Sequence, residues 1–379
     1  MINPSTPLRL AVESGALACV AAVAATSKGV IHEAAFGLRD PGAGAAMTTD
    51  SVGWIASLTK AVVSVAAVRL VERGLLSLDG PICDVLPELT APVVLERFGT
   101  DGEPVLRPAE TAITLRHLLT HTAGYGYDTW NPAIWHLQTR LGLPRLPVSS
   151  EGLRQVPLLF EPGTRWNYGI NTDVVGRVIE VVTGQTLDAH LRETLLGPLG
   201  MADTMFLIDA PQQARRVVMQ QKGADGALSP VAWRRAKALP FLYGGGGLYS
   251  SAADYVKFLQ AVLGGVLLGP AMQAELVRNQ IGDLDVQPML SAVPTASNDV
   301  RLYPEQRLKW TLGFLQNTEV TAEGRSAGGL AWAGLSNCYY WIDPTRDVCG
   351  VFMTGLLPFA DKAALAAFTA YEGEIYKFL

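Results

Sequence analysis

Apolar and polar positions change their spacing along the chain, and the changes mark out elements. Gly15 to Ala25 (GALACVAAVAA) is a continuous apolar run, followed by Thr26-Ser27-Lys28-Gly29 and then Val30 to Phe36. A short apolar run, a polar turn ending in Gly and a second run read as a hairpin. Residues from Arg39 to Ser51 are rich in Gly, Ala, Asp and Thr and read as a loop. From Ser57 to Gly74 (SLTKAVVSVAAVRLVERG) apolar residues fill most positions, with Arg69, Glu72 and Arg73 late and Gly74 as a stop. That pattern predicts a helix that is apolar nearly all round in its first three turns, and therefore buried.

From Leu78 to about Leu239 the chain is punctuated by prolines, among them Pro81, Pro87, Pro92, Pro104, Pro108, Pro132, Pro144, Pro147, Pro157 and Pro162. Short helical patterns lie between them, clearest at Thr114–Thr120 and at Asp173–Thr183, the latter closed by Gly184. Gly244 to Gly247 predicts a turn, Ala252 to about Leu263 a helix, Tyr339–Ile342 and Cys349–Thr354 strands, and Asp361 to Phe378 a last amphipathic helix. Strands near both ends with helices between them imply one discontinuous α/β domain, residues 1–78 and 240–379, interrupted by a mostly helical one, 79–239. Small-molecule sites concentrate in clefts between domains, so an active site is expected at that junction. No repeat of 20 to 50 residues is visible in the sequence.

Composition narrows the function classes. The 379 residues are 49% hydrophobic and 17% charged, which excludes intrinsic disorder. A net charge of −5, with 22 Arg and only eight Lys, gives no basic stripe for nucleic acid; Arg215-Arg216 and Arg234-Arg235 are the densest spots and are short. Cys19, Cys83, Cys338 and Cys349 show no zinc or disulfide spacing, and free thiols are expected. The Gly15–Ala25 run mimics the apolar core of a signal peptide, but Glu13 just before it and the hairpin partner after it favour a strand. The expected location is cytoplasmic, with a periplasmic or secreted location as the alternative should the run be a signal. No apolar run reaches the roughly 18 to 20 residues of a membrane span.

Ser57-Leu58-Thr59-Lys60 is the one Ser-x-x-Lys in the sequence, and it opens the buried helix. Positions i and i+3 share a helix face, so the Lys60 amine can reach the Ser57 hydroxyl. A serine at a helix N-terminus gains from the dipole and from backbone N–H groups able to face a developing oxyanion. The same residues also fit an N-capping serine and a lysine snorkelling to water. Context has to choose between these readings.

The context is a series of segments. Trp54-Ile55-Ala56-Ser57-Leu58-Thr59-Lys60 resembles the nucleophile motif of the serine β-lactamase and penicillin-binding-protein superfamily. Ile113 to Gly124 (ITLRHLLTHTAG) is similar to a segment of its class C branch. Glu161-Pro162-Gly163 leading to Trp166-Asn167-Tyr168 resembles the passage that carries the catalytic Tyr. Gly245 to Asp254 (GGGLYSSAAD) and Trp332-Ala333-Gly334-Leu335, followed by Tyr339 to Pro344, resemble the later motifs in the family's order. The resemblance spans nearly the whole chain and implies an α/β (α+β), β-lactamase/transpeptidase-like fold: an antiparallel sheet flanked by helices, with an inserted mostly helical domain.

Two departures select the branch. Ile170 stands where class C enzymes carry the Asn of Tyr-x-Asn, and Asn171, one residue late, is a candidate N-cap of the next helix. Trp332-Ala333-Gly334 replaces Lys-Thr-Gly, removing the cation that grips a β-lactam carboxylate. A Trp-x-Gly motif is similar to that of family VIII carboxylesterases and of the related statin-type acyltransferases. The resemblance implies that Ser57 attacks an ester carbonyl, that Lys60 and Tyr168 relay its proton, and that the N–H groups of Ser57 and Leu335 form the oxyanion hole. It implies no cofactor and no metal. A β-lactamase or D-amino-acid peptidase, or a catalytically silent binding protein, are the alternatives.

Other signals are weaker. His117 and His121 are four apart, a spacing that can hold zinc, but no His-Glu-x-x-His pattern accompanies them and a structural role is expected. There is no Gly-x-Ser-x-Gly elbow and no phosphate-binding glycine loop. Tyr125, Tyr127 and Trp130 follow Gly124, and Trp54 and Trp332 adjoin the motifs; aromatic walls suit an acyl or alcohol pocket. Tyr125, Tyr127, Trp332, Ala333 and Gly334 are accordingly the expected contacts of a small-molecule ester or acyl substrate. Ordinary core packing is the competing reading for the aromatics.

Overall fold

A computed structural model describes residues 3–143, 150–232 and 241–379. Arg234 and Arg235, Pro144 and Pro147, and the expected domain boundary at 239/240 lie outside the described residues. The main sheet is built from β1 (Cys19–Thr26), β2 (Gly29–Asp40), β3 (Ala45–Ala46), β4 (Leu308–Trp310), β5 (Leu315–Asn317), β6 (Leu330–Gly334), β7 (Cys338–Asp343) and β8 (Val348–Met353). Their spatial order is β4-β5-β6-β7-β8-β1-β2-β3, and every neighbouring pair is antiparallel.

This order places the two chain ends side by side, since β1 lies between β8 and β2. The apolar run that mimics a signal segment is therefore an interior strand, with Cys19 to Ala25 all buried. Thr26 pairs with Gly29 across a two-residue turn, as the hairpin reading expects. The expected loop from Arg39 to Ser51 is partly strand, because β2 continues to Asp40 and β3 returns beside it, Leu38 pairing with Ala46.

Among the helices are α1 (Ser5–Glu13), α2 (Thr59–Glu72), α3 (Asn171–Thr183), α4 (Ala252–Leu263) and α5 (Lys362–Phe378). Helices cover both faces of the sheet, so its central strands are continuously apolar rather than alternating. β7 shows how the pleat divides them. Tyr339 and Trp341 pack on Phe368 of α5, with ring centroids 4.9 and 5.9 Å apart, while Tyr340 packs on Tyr255 of α4 at 5.7 Å. Asp361 caps α5, its carboxylate accepting from the N–H groups of Ala363 and Ala364; Ser251 caps α4 through the Asp254 N–H.

The segment between Leu78 and residue 232 is helical in part, at Leu115–Leu119, Pro132–Arg140, α3 and Leu187–Leu191 among others. It also holds an antiparallel hairpin, Val93–Phe98 with Pro104–Pro108, whose turn contains Asp101-Gly102. An Asp-Gly pair between apolar runs is a hairpin signal that the proline count obscured. Gln220–Lys222 pairs with Leu228–Pro230 and runs parallel to Leu356–Leu357, tying this segment to the C-terminal part of the chain. The four cysteines are free. Cys19, Cys338 and Cys349 are buried, and burial pushes the Cys19 thiol up to about 12 and that of Cys338 to about 11. Among the described residues no helix is long and apolar enough to cross a membrane.

Candidate active site

Ser57 lies in a single 3-10 turn, Ala56–Leu58, that runs directly into α2. The residue before it, Ala56, has φ +45°, a left-handed conformation that costs a non-glycine residue about 1–3 kcal/mol. A dense set of hydrogen bonds holds it there. Thr59 Oγ1 donates to the Ala56 carbonyl at 2.6 Å and accepts from the Leu248 N–H at 3.1 Å. The Ile55 N–H donates to the Leu248 carbonyl at 3.1 Å, Trp54 Nε1 to the Gly246 carbonyl at 2.7 Å, and Tyr255 Oη to the Leu58 carbonyl at 2.8 Å. The glycine-rich segment before α4 thus forms one wall of the serine turn.

The end of β6 forms the other wall. A Cβ on Gly334 would sit 2.3 Å from the Ile55 carbonyl oxygen, so only glycine allows this approach. Ser336 Oγ donates to the Trp54 carbonyl at 2.6 Å. Leu335, half-buried, is the residue between these two contacts. Ala333 is held in the strand opposite Tyr339, and Trp332 opposite Tyr340.

Lys60 is 1% exposed, so it does not snorkel. Its Nζ lies 3.2 Å from Ser57 Oγ, 3.1 Å from Tyr127 Oη and 2.6 Å from the Gly245 carbonyl. Tyr127 Oη in turn donates to Asp173 Oδ2 at 3.0 Å, and the other carboxylate oxygen accepts from the Gly245 N–H at 2.9 Å. Asp173, in the first turn of α3, therefore holds both groups that hold the amine. Burial, and next the Asp173 charge, keep the Tyr127 phenol well above its ordinary range, so Tyr127 stays protonated and acts as a donor. Burial raises the Asp173 carboxyl, against the opposing pull of Lys60, the Gly245 N–H and Tyr127. A Cβ on Gly245 would lie 2.4 Å from Asp173 Oδ2 and 2.7 Å from Tyr127 Oη.

Tyr168 meets the same cluster by a different contact. Its hydroxyl accepts from Trp332 Nε1 at 3.1 Å, and Lys60 Nζ lies over its ring, 4.7 Å from the centroid. Rings of His121, Trp332, Tyr127 and Trp130 surround it at 4.8, 5.0, 5.4 and 5.5 Å. Among the described residues Lys60 makes its phenolic hydrogen bond to Tyr127, not to Tyr168. Tyr127, expected as a substrate contact, thus sits inside the polar network.

Tyr125 does not join them. Its side chain is buried in the core, and burial pushes its phenol upward; its carbonyl accepts from Asn167 Nδ2 at 2.9 Å. The two histidines do not converge on a metal. His117 Nδ1 accepts from the Thr114 N–H in a capping box, while His121 Nδ1 accepts from Asn171 Nδ2 at 2.9 Å. Asn171 therefore does not cap α3, whose N-cap is Ile170. Burial, and next the charge of Lys60, hold His121 well below its ordinary range, so it is neutral. No cluster of metal-ligating side chains exists among the described residues. Asp173 and Gly245 were missed as site residues. The available signal was an acid leading into Val174-Val175 at the start of a predicted helix, five residues beyond Tyr168.

The family model for "Beta-lactamase" matches residues 9–372, nearly the whole length on which this site is built. The chain belongs to the beta-lactamase family. Within it, the chain is 32% identical over 314 residues to lovastatin esterase of Penicillium rubens, covering 80% of this chain and 79% of that protein. It is 30% identical over 345 residues to monacolin J acid methylbutanoyltransferase of Aspergillus terreus, covering 85% and 81%. Among solved structures, the LovD6 mutant of simvastatin synthase from Aspergillus terreus matches with a TM-score of 0.85 at 28% identity, covering 99% of this chain and 96% of that one. These relatives are esterases and acyltransferases on the beta-lactamase fold, and the expected fold class is the observed one.

Proposed function

We propose that this chain is a serine carboxylesterase and acyltransferase that works on small to medium acyl esters through an acyl-enzyme on Ser57. The observation that carries the reading is the placement of Lys60 Nζ. Two of its hydrogen-bonding positions are taken by Tyr127 Oη, whose own proton goes to Asp173, and by the Gly245 carbonyl. Once deprotonated, the amine has two N–H groups and one lone pair, and with the N–H groups so engaged the lone pair is left for the Ser57 proton.

Ser57 Oγ attacks the ester carbonyl carbon as its proton passes to Lys60, and the N–H groups of Ser57 and Leu335 receive the oxyanion. The carbon–alkoxide bond then breaks, and the Tyr168 hydroxyl gives its proton to the leaving alcohol. That leaves an ammonium over a phenolate ring, a favourable pairing in a water-poor site. Water or a second alcohol attacks the acyl carbon, its proton goes to Tyr168, and Lys60 returns a proton to Ser57 Oγ. We place this chemistry in the cleft between the α/β part of the chain and the segment from residue 79 to 239. The lovastatin esterase and methylbutanoyltransferase names support both fates of the acyl group. Trp332, in the place of the β-lactamase lysine, favours ester over β-lactam substrates.

Incubation with p-nitrophenyl butyrate or a fluorophosphonate followed by mass spectrometry should show an adduct on Ser57 in the native protein and none in Ser57→Ala. Absence of that adduct, or hydrolysis of a chromogenic cephalosporin as fast as the butyrate ester, overturns the reading. An added alcohol acceptor in the same assay separates transfer from hydrolysis.

A further inference from the structure

His121 occupies a backbone position that rarely falls to histidine. The short helix Leu115–Leu119 ends at Thr120, and His121 follows with φ +59°, in the left-handed region. The Thr122 N–H donates back to the His117 carbonyl at 2.9 Å, and the His121 N–H to the Leu118 carbonyl at 3.4 Å. This nested pair of bonds closes a helix on a residue that is usually glycine, because a Cβ is crowded in the left-handed conformation. Asparagine is the common second choice, and either would end this helix with less strain. A residue held against its backbone preference points to a use for its side chain.

That side chain is buried against the segment that carries Tyr168. The N–H of Asn167, immediately before the tyrosine, donates to the His121 carbonyl at 2.9 Å. Asn171 Nδ2, three residues after the tyrosine, donates to His121 Nδ1, also at 2.9 Å. Between these anchors the imidazole packs on the Tyr168 ring, with centroids 4.8 Å apart. Trp310 meets the imidazole edge to face at 5.1 Å, its own Nε1 donating to the Leu119 carbonyl at 3.0 Å. An Nδ1 that accepts requires a neutral ring, which burial next to Lys60 maintains. Other contacts secure the rest of the segment: Asn167 Nδ2 donates to the Tyr125 carbonyl at 2.9 Å, and Asp173 accepts from the Gly245 N–H. Loss of the imidazole therefore loosens Tyr168 without unfastening the chain around it.

We infer that His121 is a positioning residue for Tyr168: it fixes the chain just before and just after the tyrosine and packs on its ring, which keeps the phenol aimed at the departing alcohol. The inference rests on the ester-cleaving reading for what the phenol does. His121 itself moves no proton and touches no substrate in this role. Its effect is on the precision with which an acid is held, and a small misplacement of such a group is costly in rate.

The test uses ethyl butyrate, whose alkoxide needs a proton to depart, and p-nitrophenyl butyrate, whose nitrophenolate does not. The native protein is compared with His121→Gly, which suits the backbone and removes the side chain, and with His121→Asn, which suits the backbone and keeps an acceptor, Oδ1, in the place of Nδ1. In kcat/KM, His121→Gly should lose about tenfold more on ethyl butyrate than on p-nitrophenyl butyrate, and His121→Asn should regain most of that difference. Equal losses on the two esters, no loss, a glycine variant that does not fold, or an asparagine variant no better than the glycine one overturns the inference. The Tyr168 signal in a 13C-tyrosine NMR spectrum, identified by its absence from Tyr168→Phe, reads the clasp without catalysis. A native protein that cleaves neither ester fails the ester-cleaving reading, and one that cleaves only the nitrophenyl ester fails the acid step. In both cases the clasp stands if that signal broadens in His121→Gly and stays sharp in His121→Asn, and falls if the two variants look alike.

Discussion

Trp332 Nε1 donates to the Tyr168 hydroxyl across 3.1 Å, so the phenolic oxygen is occupied as an acceptor and its proton is free to leave toward another group. This is the arrangement an acid for the departing alcohol needs. Trp332→Phe keeps a ring in place and removes the donor. Loss of one such bond should lower kcat/KM about tenfold. The loss should be larger for ethyl butyrate than for p-nitrophenyl butyrate, because nitrophenolate departs without a proton. Equal losses on both esters would remove Trp332 from the proton path.

Asp173 accepts from two donors at once, the Tyr127 hydroxyl and the Gly245 N–H. Asparagine offers one acceptor oxygen and must turn an N–H toward one of those donors. Asp173→Asn should therefore lower kcat by about ten- to a hundredfold with KM changed less than threefold, the pattern of a lost positioning contact. Steady-state kinetics beside an unchanged circular-dichroism spectrum would check it. A KM effect alone would assign Asp173 to substrate binding instead.

Gly334→Ala brings a methyl group to 2.3 Å from the Ile55 carbonyl, where the obstacle is backbone and cannot swing aside. The strand end and the serine turn must separate, and Leu335 moves with the strand. The expectation is a loss of about a hundredfold in kcat together with a lower Tm. Full activity in this variant would mean that the turn and the strand are not held in register for catalysis.

His121 is buried and neutral, with its folded-state pKa well below the ordinary 6.5. A histidine of this kind takes up its proton more readily when unfolded. Its contribution is present above pH 6.5 and is lost as pH falls from there toward the folded value, by up to about 1.4 kcal/mol per pH unit. Urea unfolding of the native protein and of His121→Gln between pH 5 and 7.5 should show the gap between them narrowing or reversing as pH falls. Parallel curves would contradict the burial argument.

Arg325 and Glu372 form a fully buried ion pair with contacts of 2.8 and 2.9 Å. Removing one partner leaves the other charge unpaired in the core, which costs about 3–5 kcal/mol. Glu372→Ala should lose stability of that order in denaturant titration. A change below about 1 kcal/mol would show that water or another group compensates the arginine.

Local patterns carried much of this protein. Ala252–Leu263 is a helix with the bounds its periodicity predicts, and the α2 sequence, apolar on nearly every side, is buried as such a sequence must be. Ser57 and Lys60 are neighbours because a helical turn brings i and i+3 together, and no distant residue is needed for that. The roles of Tyr127, Asp173 and Gly245 could not be read the same way. They lie 46 to 118 residues apart and meet only when α3, the loop after Gly124 and the glycine turn before α4 pack on one amine. Spacing along the chain has no term for such contacts. The sequence by itself determined which residues could carry acyl chemistry, because helical geometry and residue type act locally. The tertiary structure decided which tyrosine binds the lysine, which stays a core residue, and which histidine is silent, because burial and long-range hydrogen bonds exist only once the chain has closed on itself.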